Sequence, residues 1–251
     1  MSLSSADWQC AGRLRLGLPM DELRQLGFCD CGEALTEWDV LHLLRCRSGR
    51  RTRVVHDVVA LEVATIARQS GHAHRVFTRP DLCGTFFQQP PEGSPRQACV
   101  PDVTFYRRDM HSESALDITV RGPSRPPLSE RFRSGDAAKR GEDEKLRHYR
   151  PWMTARGSGH FIPLAVEVYG CLGRMFYDFL RECAAASETG GAASFRPETE
   201  YVHRLTHLYM QRISVTLQRT QACAFRYAMA RAPARRDPTL RGEEEQTRRM
   251  H

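Results

Sequence analysis

Two aspartates, Asp102 and Asp117, are separated by fourteen residues, and each lies in a short alternating segment. VPDVTFY sets Val103 and Phe105 against Asp102 and Thr104. LDITV sets Leu116, Ile118 and Val120 against Asp117 and Thr119. A period of two predicts strands. A hairpin turning through 107–113 would bring both carboxylates together, opposite the apolar side chains. Carboxylates on neighbouring strands repel unless a cation lies between them. Hard oxygen donors of this kind suit Mg2+ or Mn2+. Such an ion would bind a phosphate oxygen, lower the pKa of an attacking water and stabilise the leaving oxygen. The plainer account is two solvated acids on the polar face of a hairpin, since exposed aspartates are common.

The segment GDAAKRGEDEKLRHY supplies Lys139, Lys145 and Tyr149. Lys145 and Tyr149, at i and i+4, share a helical face. A lysine beside the metal would orient or deprotonate the water, and the tyrosine would touch phosphate. The alternative is a charged, solvated helix whose surface pairs contribute little.

A second constellation is Cys29, Cys31, His42 and Cys46. Three thiolates and one imidazole make a closed tetrahedral site, which is structural zinc chemistry rather than catalysis. The Cys-x-Cys spacing is tighter than the usual Cys-x-x-Cys. Four unrelated small or buried residues are the competing account. Arg45, Arg47, Arg50, Arg51 and Arg53 follow within nine positions. Zinc at the cluster would hold these guanidinium groups against nucleic-acid phosphate. His56 and Asp57 open the next helix. Glu62 faces either the metal or solvent, and Glu167 either the site or the sheet edge.

These groups need a scaffold, and the chain is long enough for one core with an accessory module. It has 251 residues, 41% hydrophobic and 27% charged, and a formal net charge of +7 supplied mostly by arginine. That charge is compatible with a nucleic-acid partner without requiring one. No apolar run approaches a membrane span, and the opening residues carry no secretory pattern. Nine cysteines without such a pattern point to a reduced compartment, with the six outside the cluster as small buried residues.

The elements expected are a helical stretch near Pro19–Leu26, a helix over 54–70 and strands at 73–79, 99–106 and 114–121. A helix over 135–149, stopped by Pro151, a strand at 159–170 and helices over 174–186 and 197–230 complete them. The strands at 99–106 and 114–121 should each keep one wet face. The fold class is therefore α/β, a mixed central sheet flanked by helices. The organisation reads as a lead-in (1–28), the Cys/His and arginine-rich segment (29–53), a core (54–186), a flexible link, a helical extension (197–232) and a disordered charged tail (233–251).

Taken in order, RLRLGLP, the Cys-x-Cys and His-x-x-x-Cys knuckle, VVHDVV, VPDVTFY, LDITV, KLRHY and FIPLAVEVYG resemble a known family. It is the restriction-like endonuclease region of site-specific non-LTR retrotransposons, similar in core to PD-(D/E)XK nucleases. The resemblance covers about residues 11–185. It implies a restriction-endonuclease-like core of helix, three strands, helix and strand. It also implies a nuclear Mg2+- or Mn2+-dependent DNA endonuclease, with Asp102 and Asp117 as metal ligands and a Zn2+ knuckle. Lys145 and Tyr149 match the family's lysine–tyrosine pair. DNA is the implied partner, with the element's RNA as a second candidate. The lysine two residues after the second acid is replaced by Thr119, so Lys139 or Lys145 must serve. Val40-Leu41-His42 stands where Gly-Asp-His is frequent, and Val55-His56 where Arg-His is. The length leaves no room for a reverse transcriptase beside this region. A binding module that keeps the fold without the chemistry is the alternative function. A structural subunit using the long C-terminal helix is a third.

Overall fold

The computed structural model describes residues 4–16, 18–29, 31–46, 51–83, 86–87, 90–92, 99–107, 112–122, 134–188 and 198–236. The elements run α1 (Ser5–Leu16), α2 (Asp21–Leu26), α3 (Val40–Arg45), α4 (Arg51–Gln69), β1 (Ala73–Phe77), α5 (Pro80–Cys83), β2 (Val103–Arg107) and β3 (Glu113–Arg121). They continue with α6 (Asp136–Arg156), β4 (His160–Glu167), α7 (Arg174–Glu188) and α8 (Glu198–Arg236). The chain divides into two compact units, residues 55–217 and residues 1–54 with 218–251.

In the larger unit the strands lie in chain order, β1-β2-β3-β4. β1 and β2 pair antiparallel, as do β2 and β3, whereas β3 and β4 are parallel. The parallel step needs a crossover, and α6 supplies it. This is the expected mixed α/β sheet flanked by helices.

Alternation sends Val103, Phe105, Leu116, Ile118, Leu164 and Val166 into one core. Val59, Val63 and Ile66 of α4 meet them there, as do Phe176, Phe179 and Leu180 of α7 and Ile213 and Leu217 of α8. The opposite face is not wet, contrary to the expectation from alternation. α6 packs on β3 and β4, so Ala115 and Asp117 are buried. Thr104 is covered as well, and its hydroxyl reaches Cys83 Sγ at 3.9 Å. Alternation cannot tell a polar face turned to water from one turned to a polar helix.

α6 also corrects the expected stop at Pro151, for the helix carries that proline inside it and runs on to Arg156. An interior proline removes one helical hydrogen bond. Beyond it, Trp152 and Met153 pack with Phe86, Phe87 and Tyr149 in an aromatic cluster. Burying a side chain as large as tryptophan offsets the proline's cost. Gly157 then ends the helix in a left-handed conformation, φ 76°.

Two buried carboxylates hold helix starts, Glu167 of β4 that of α6 and Glu142 of α6 that of α7. Glu167 Oε1 accepts from the backbone N–H groups of Ala137 and Ala138 at 3.0 and 3.4 Å, at the beginning of α6. Glu142 Oε1 accepts from those of Met175 and Phe176 at 3.0 and 3.2 Å, at the beginning of α7. These N–H groups have no partner within their own helix, and negative charge is favourable there. Glu167 is therefore neither an edge charge nor part of the site. Glu62 is likewise buried, and its Oε1 takes a fork from Arg212 of α8, Nε and Nη2 both at 2.7 Å.

The smaller unit has its own core, in which Leu14 of α1, Leu23 of α2, Leu43 of α3 and the loop residue Leu35 meet Ala222 and Phe225 of α8. Residues expected as a lead-in are thus a helix packed in a core. α8 extends past Pro233 to Arg236. The expected disordered tail beyond it, and most of the expected link at 187–196, lie outside the described residues, as does 123–133.

Candidate active site and metal cluster

The β2–β3 register pairs Val103 with Leu116. Asp102, one residue before β2, and Asp117, one residue after Leu116, therefore stand at the same end of that ladder. The Asp102 N–H donates to the Leu116 carbonyl at 3.0 Å. Asp102 Oδ2 in turn accepts from the Ile118 N–H at 2.7 Å. One aspartate is thus bonded to the residues on either side of the other.

Asp117 is reached from α6. Lys145 Nζ is 2.6 Å from Asp117 Oδ1, and the Tyr149 hydroxyl donates to Asp117 Oδ2. One helical turn between the two donors lets both meet one carboxylate. Tyr149 is held by stacking on Phe161, centroids 4.0 Å apart, and by Phe87 at 5.5 Å. Lys139, six residues before Lys145, is exposed instead. Of the two candidate lysines, α6 brings Lys145 to the aspartate.

A side chain on Gly141 would come within 3.1 Å of Thr119 Cγ2 and 3.2 Å of Ala165 Cβ. α6 therefore lies closely over β3 and β4 at Thr119.

His56 is the partner that sequence left without a role. Its Nε2 lies 3.0 Å from both Asp102 Oδ2 and the Ile118 carbonyl, and its Nδ1 lies 3.0 Å from Asp57 Oδ1. Burial by itself favours the neutral ring. The hydrogen bond and charge of Asp102, helped by Asp57, outweigh it and raise the imidazole pKa to about 9. The VVHDVV segment suggested the histidine at a helix start, whereas α4 begins five residues earlier at Arg51, and nothing local pointed to an aspartate 46 residues away.

Burial raises the Asp117 pKa, and the charge of Asp102 adds to it, while Lys145 and Tyr149 draw it back. Burial and Asp117 together push the Tyr149 phenol far up, so it remains a donor. The site therefore holds two interacting acids, one buried, with a cation and two further donors around them.

The second cluster lies in the smaller unit. Phe28 and Ala34 form an isolated bridge, and the turn between them closes with the Cys29 N–H on the Glu33 carbonyl at 2.8 Å. Gly32, at φ 90°, supplies a backbone conformation that other residues resist. His42 lies in α3, and Cys46 caps its end with an N–H to the His42 carbonyl at 2.8 Å. Fold and spacing thus bring the ligand atoms of Cys29, Cys31, His42 and Cys46 within 4.8 Å of one another. The cluster could hold a metal ion, and its donors are compatible with structural zinc.

Of the five arginines expected on phosphate, Arg51 turns inward, with Nη2 donating to Cys29 Sγ at 3.2 Å. Burial raises the Cys29 thiol's pKa, and the Arg51 guanidinium draws it back in part. Arg45 and Arg53 are exposed, and Arg47 and Arg50 lie outside the described residues. Among the described residues no helix is long and apolar enough to cross a membrane.

Compared with protein-family models the chain matches none, and a search of curated proteins finds no match either.

Proposed function

We propose that the larger unit is a metal-dependent DNA endonuclease of the restriction-like type found in site-specific non-LTR retrotransposons, acting in the nucleus on DNA. The observation that carries this reading is Asp117 between Lys145 and Tyr149, with Asp102 at the same end of the ladder.

The donor set fits a hard divalent cation. Asp117, whose proton affinity burial and the charge of Asp102 raise, already draws in an ammonium group, and such an arrangement favours positive charge between the two acids. Asp102 and Asp117 would hold Mg2+ or Mn2+, whose chemistry when bound is to polarise a phosphate oxygen and acidify a water. His56 and the Ile118 N–H hold one oxygen of Asp102, which fixes the direction of its carboxylate. Lys145, anchored at Asp117, is placed to donate to phosphate or to steer the attacking water. Tyr149, kept protonated, fixes the other oxygen of Asp117. In the reaction, water oxygen bonds to phosphorus, one P–O ester bond breaks, and the departing oxygen takes up a proton. The exposed arginines of 45–53 would serve DNA backbone contacts.

A second reading is favoured by Thr119, which replaces the usual lysine. It is a nucleic-acid-binding module with this fold and no cutting activity. Conversion of supercoiled plasmid to nicked circles, with and without Mg2+, separates the two. The endonuclease requires cutting with Mg2+ that Asp102→Ala abolishes. DNA binding without cutting by either protein would establish the second reading.

A further inference from the structure

We propose that His203 and His207 of α8, with Glu200 as a third donor, form a second metal site, on the larger unit, that takes Zn2+. The proposal goes beyond the endonuclease reading and needs neither the carboxylate pair nor the Cys/His cluster.

The three residues stand at i, i+3 and i+7 in EYVHRLTH. That spacing keeps them on one face of the helix. Glu-x-x-His on a helix is a ligand pair of carboxylate metal centres, and histidines at i and i+4 can share one zinc. The two rings meet here, with centroids 4.4 Å apart and planes at 75°. Helical side chains lean towards the N-terminus. The His207 ring therefore leans over the turn of His203, and the His203 ring over that of Glu200.

The donors are accessible. Both histidines are exposed, and among the described residues neither ring makes a hydrogen bond or ion pair. Rotation about the Cβ–Cγ bonds, unhindered at an exposed position, turns one nitrogen of each ring towards a shared ion. Glu200 Oε1 lies 2.6 Å from Arg204 Nη2, in a pair whose side chains are 57% and 70% exposed. So exposed a pair contributes little stability, and its carboxylate can turn to a cation instead. Arg204 opposes that cation, but its side chain has room in solvent to swing away.

The backbone beneath the donors is already fixed. On the other side of the same turns Thr206 is buried, and its hydroxyl donates to the Val202 carbonyl at 2.6 Å. The Tyr209 hydroxyl lies 3.1 Å from Ser187 Oγ, and Ile213 enters the main core. Donors carried on a packed helix lose less freedom when an ion arrives. Imidazole nitrogen suits Zn2+ and not Mg2+, which prefers oxygen. Two histidines, a carboxylate and a water make an open zinc site. It is a weaker one than three thiolates with an imidazole, so its ion leaves during purification and has to be added back.

The test uses the full chain as purified, in chelator-free buffer, and isothermal calorimetry with Zn2+. The wild type should take up about one equivalent more than His203→Gln or His207→Gln. That difference counts this site alone, whatever the Cys/His cluster holds. Glu200→Gln should weaken the extra equivalent by about 10-fold, and excess Mg2+ should not displace it. The melting temperature should rise with added Zn2+ in the wild type and less in either histidine variant, because an ion bound to the folded helix stabilises it. Without Zn2+ the circular dichroism of all the proteins should agree, since the side chains are exposed. Asp102→Ala should take up as much Zn2+ as the wild type, so failure of the nuclease reading and of this one are separable. Equal uptake by the wild type and both histidine variants, or displacement by Mg2+, would overturn the proposal and leave an edge-to-face ring contact. Unchanged affinity in Glu200→Gln would overturn the place of Glu200 among the donors.

Discussion

Lys145 Nζ lies 2.6 Å from Asp117 Oδ1, and Asp117 is buried where Lys145 is only partly so. The lysine is the nearest compensation for a carboxylate that water hardly reaches. Its removal strands that charge, whereas removal of the charge frees an ammonium that water can still solvate. Lys145→Met is therefore expected to lose about 1–3 kcal/mol of stability, below the full cost of breaking a wholly buried pair because the lysine is partly exposed. Asp117→Asn, of equal volume, should lose less stability yet abolish nicking. Urea unfolding and the plasmid assay together check this, and a Lys145→Met protein of wild-type stability would contradict it.

The His56–Asp102 contact sets a pH dependence. The folded-state pKa of His56, about 9, lies above the ordinary value of 6.5. Its stabilisation is therefore complete below about pH 6.5 and is lost as pH rises through about 9. The wild type should lose up to about 3 kcal/mol over that window, and His56→Gln should show a flatter profile. Unfolding free energies measured from pH 6 to 10 decide it. Parallel curves for the two proteins would show that the imidazolium does not stabilise the fold.

Gly173 is required by a carboxylate. A methyl group there would lie 2.1 Å from Glu142 Oε1, the atom that accepts from the start of α7. Gly173→Ala should displace Glu142 and cost about 1–3 kcal/mol through the lost cap. The double variant Gly173→Ala, Glu142→Ala removes the clash and should be no less stable than the single one. Thermal unfolding of the three proteins gives the comparison.

Zinc has a direct measurement. Protein purified without chelator should contain about one zinc per chain, and Cys29→Ser with Cys46→Ser should remove it. Amide exchange should then accelerate in the smaller unit, where the Cys29 turn and α3 depend on the four ligands. Freshly purified protein devoid of bound metal would leave the four side chains as an ordinary polar cluster.

What could be read from the residues follows the range of the interactions. The strands carrying Asp102 and Asp117 were legible because alternation is local, and the Lys145–Tyr149 pair because one helical turn is local. The Cys/His cluster was legible because ligand chemistry narrows the choice of partner. α1 was missed, since its buried positions Cys10, Ala11 and Leu14 are few and mostly small. Glu62 was misread because its fork with Arg212 spans 150 residues. Separations of about 30 residues hid the caps made by Glu142 and Glu167 in the same way. The wet-face expectation failed for a different reason, because a polar helix and bulk water leave the same pattern on a strand.

The core of the smaller unit couples the two ends of the described chain, as Cys10 and Ala222 meet across 212 residues, Sγ to carbonyl oxygen at 4.0 Å. During synthesis the knuckle emerges before the sheet, but Ala222 and Phe225 reach it only after the whole sheet has been made. Domains emerging from the ribosome usually fold in order, and closing so long a loop is slow. The knuckle, though translated before the sheet, should consequently become protease-resistant after it, and a fragment ending after α7 would carry the Cys29, Cys31, His42 and Cys46 cluster over a core that lacks Ala222 and Phe225.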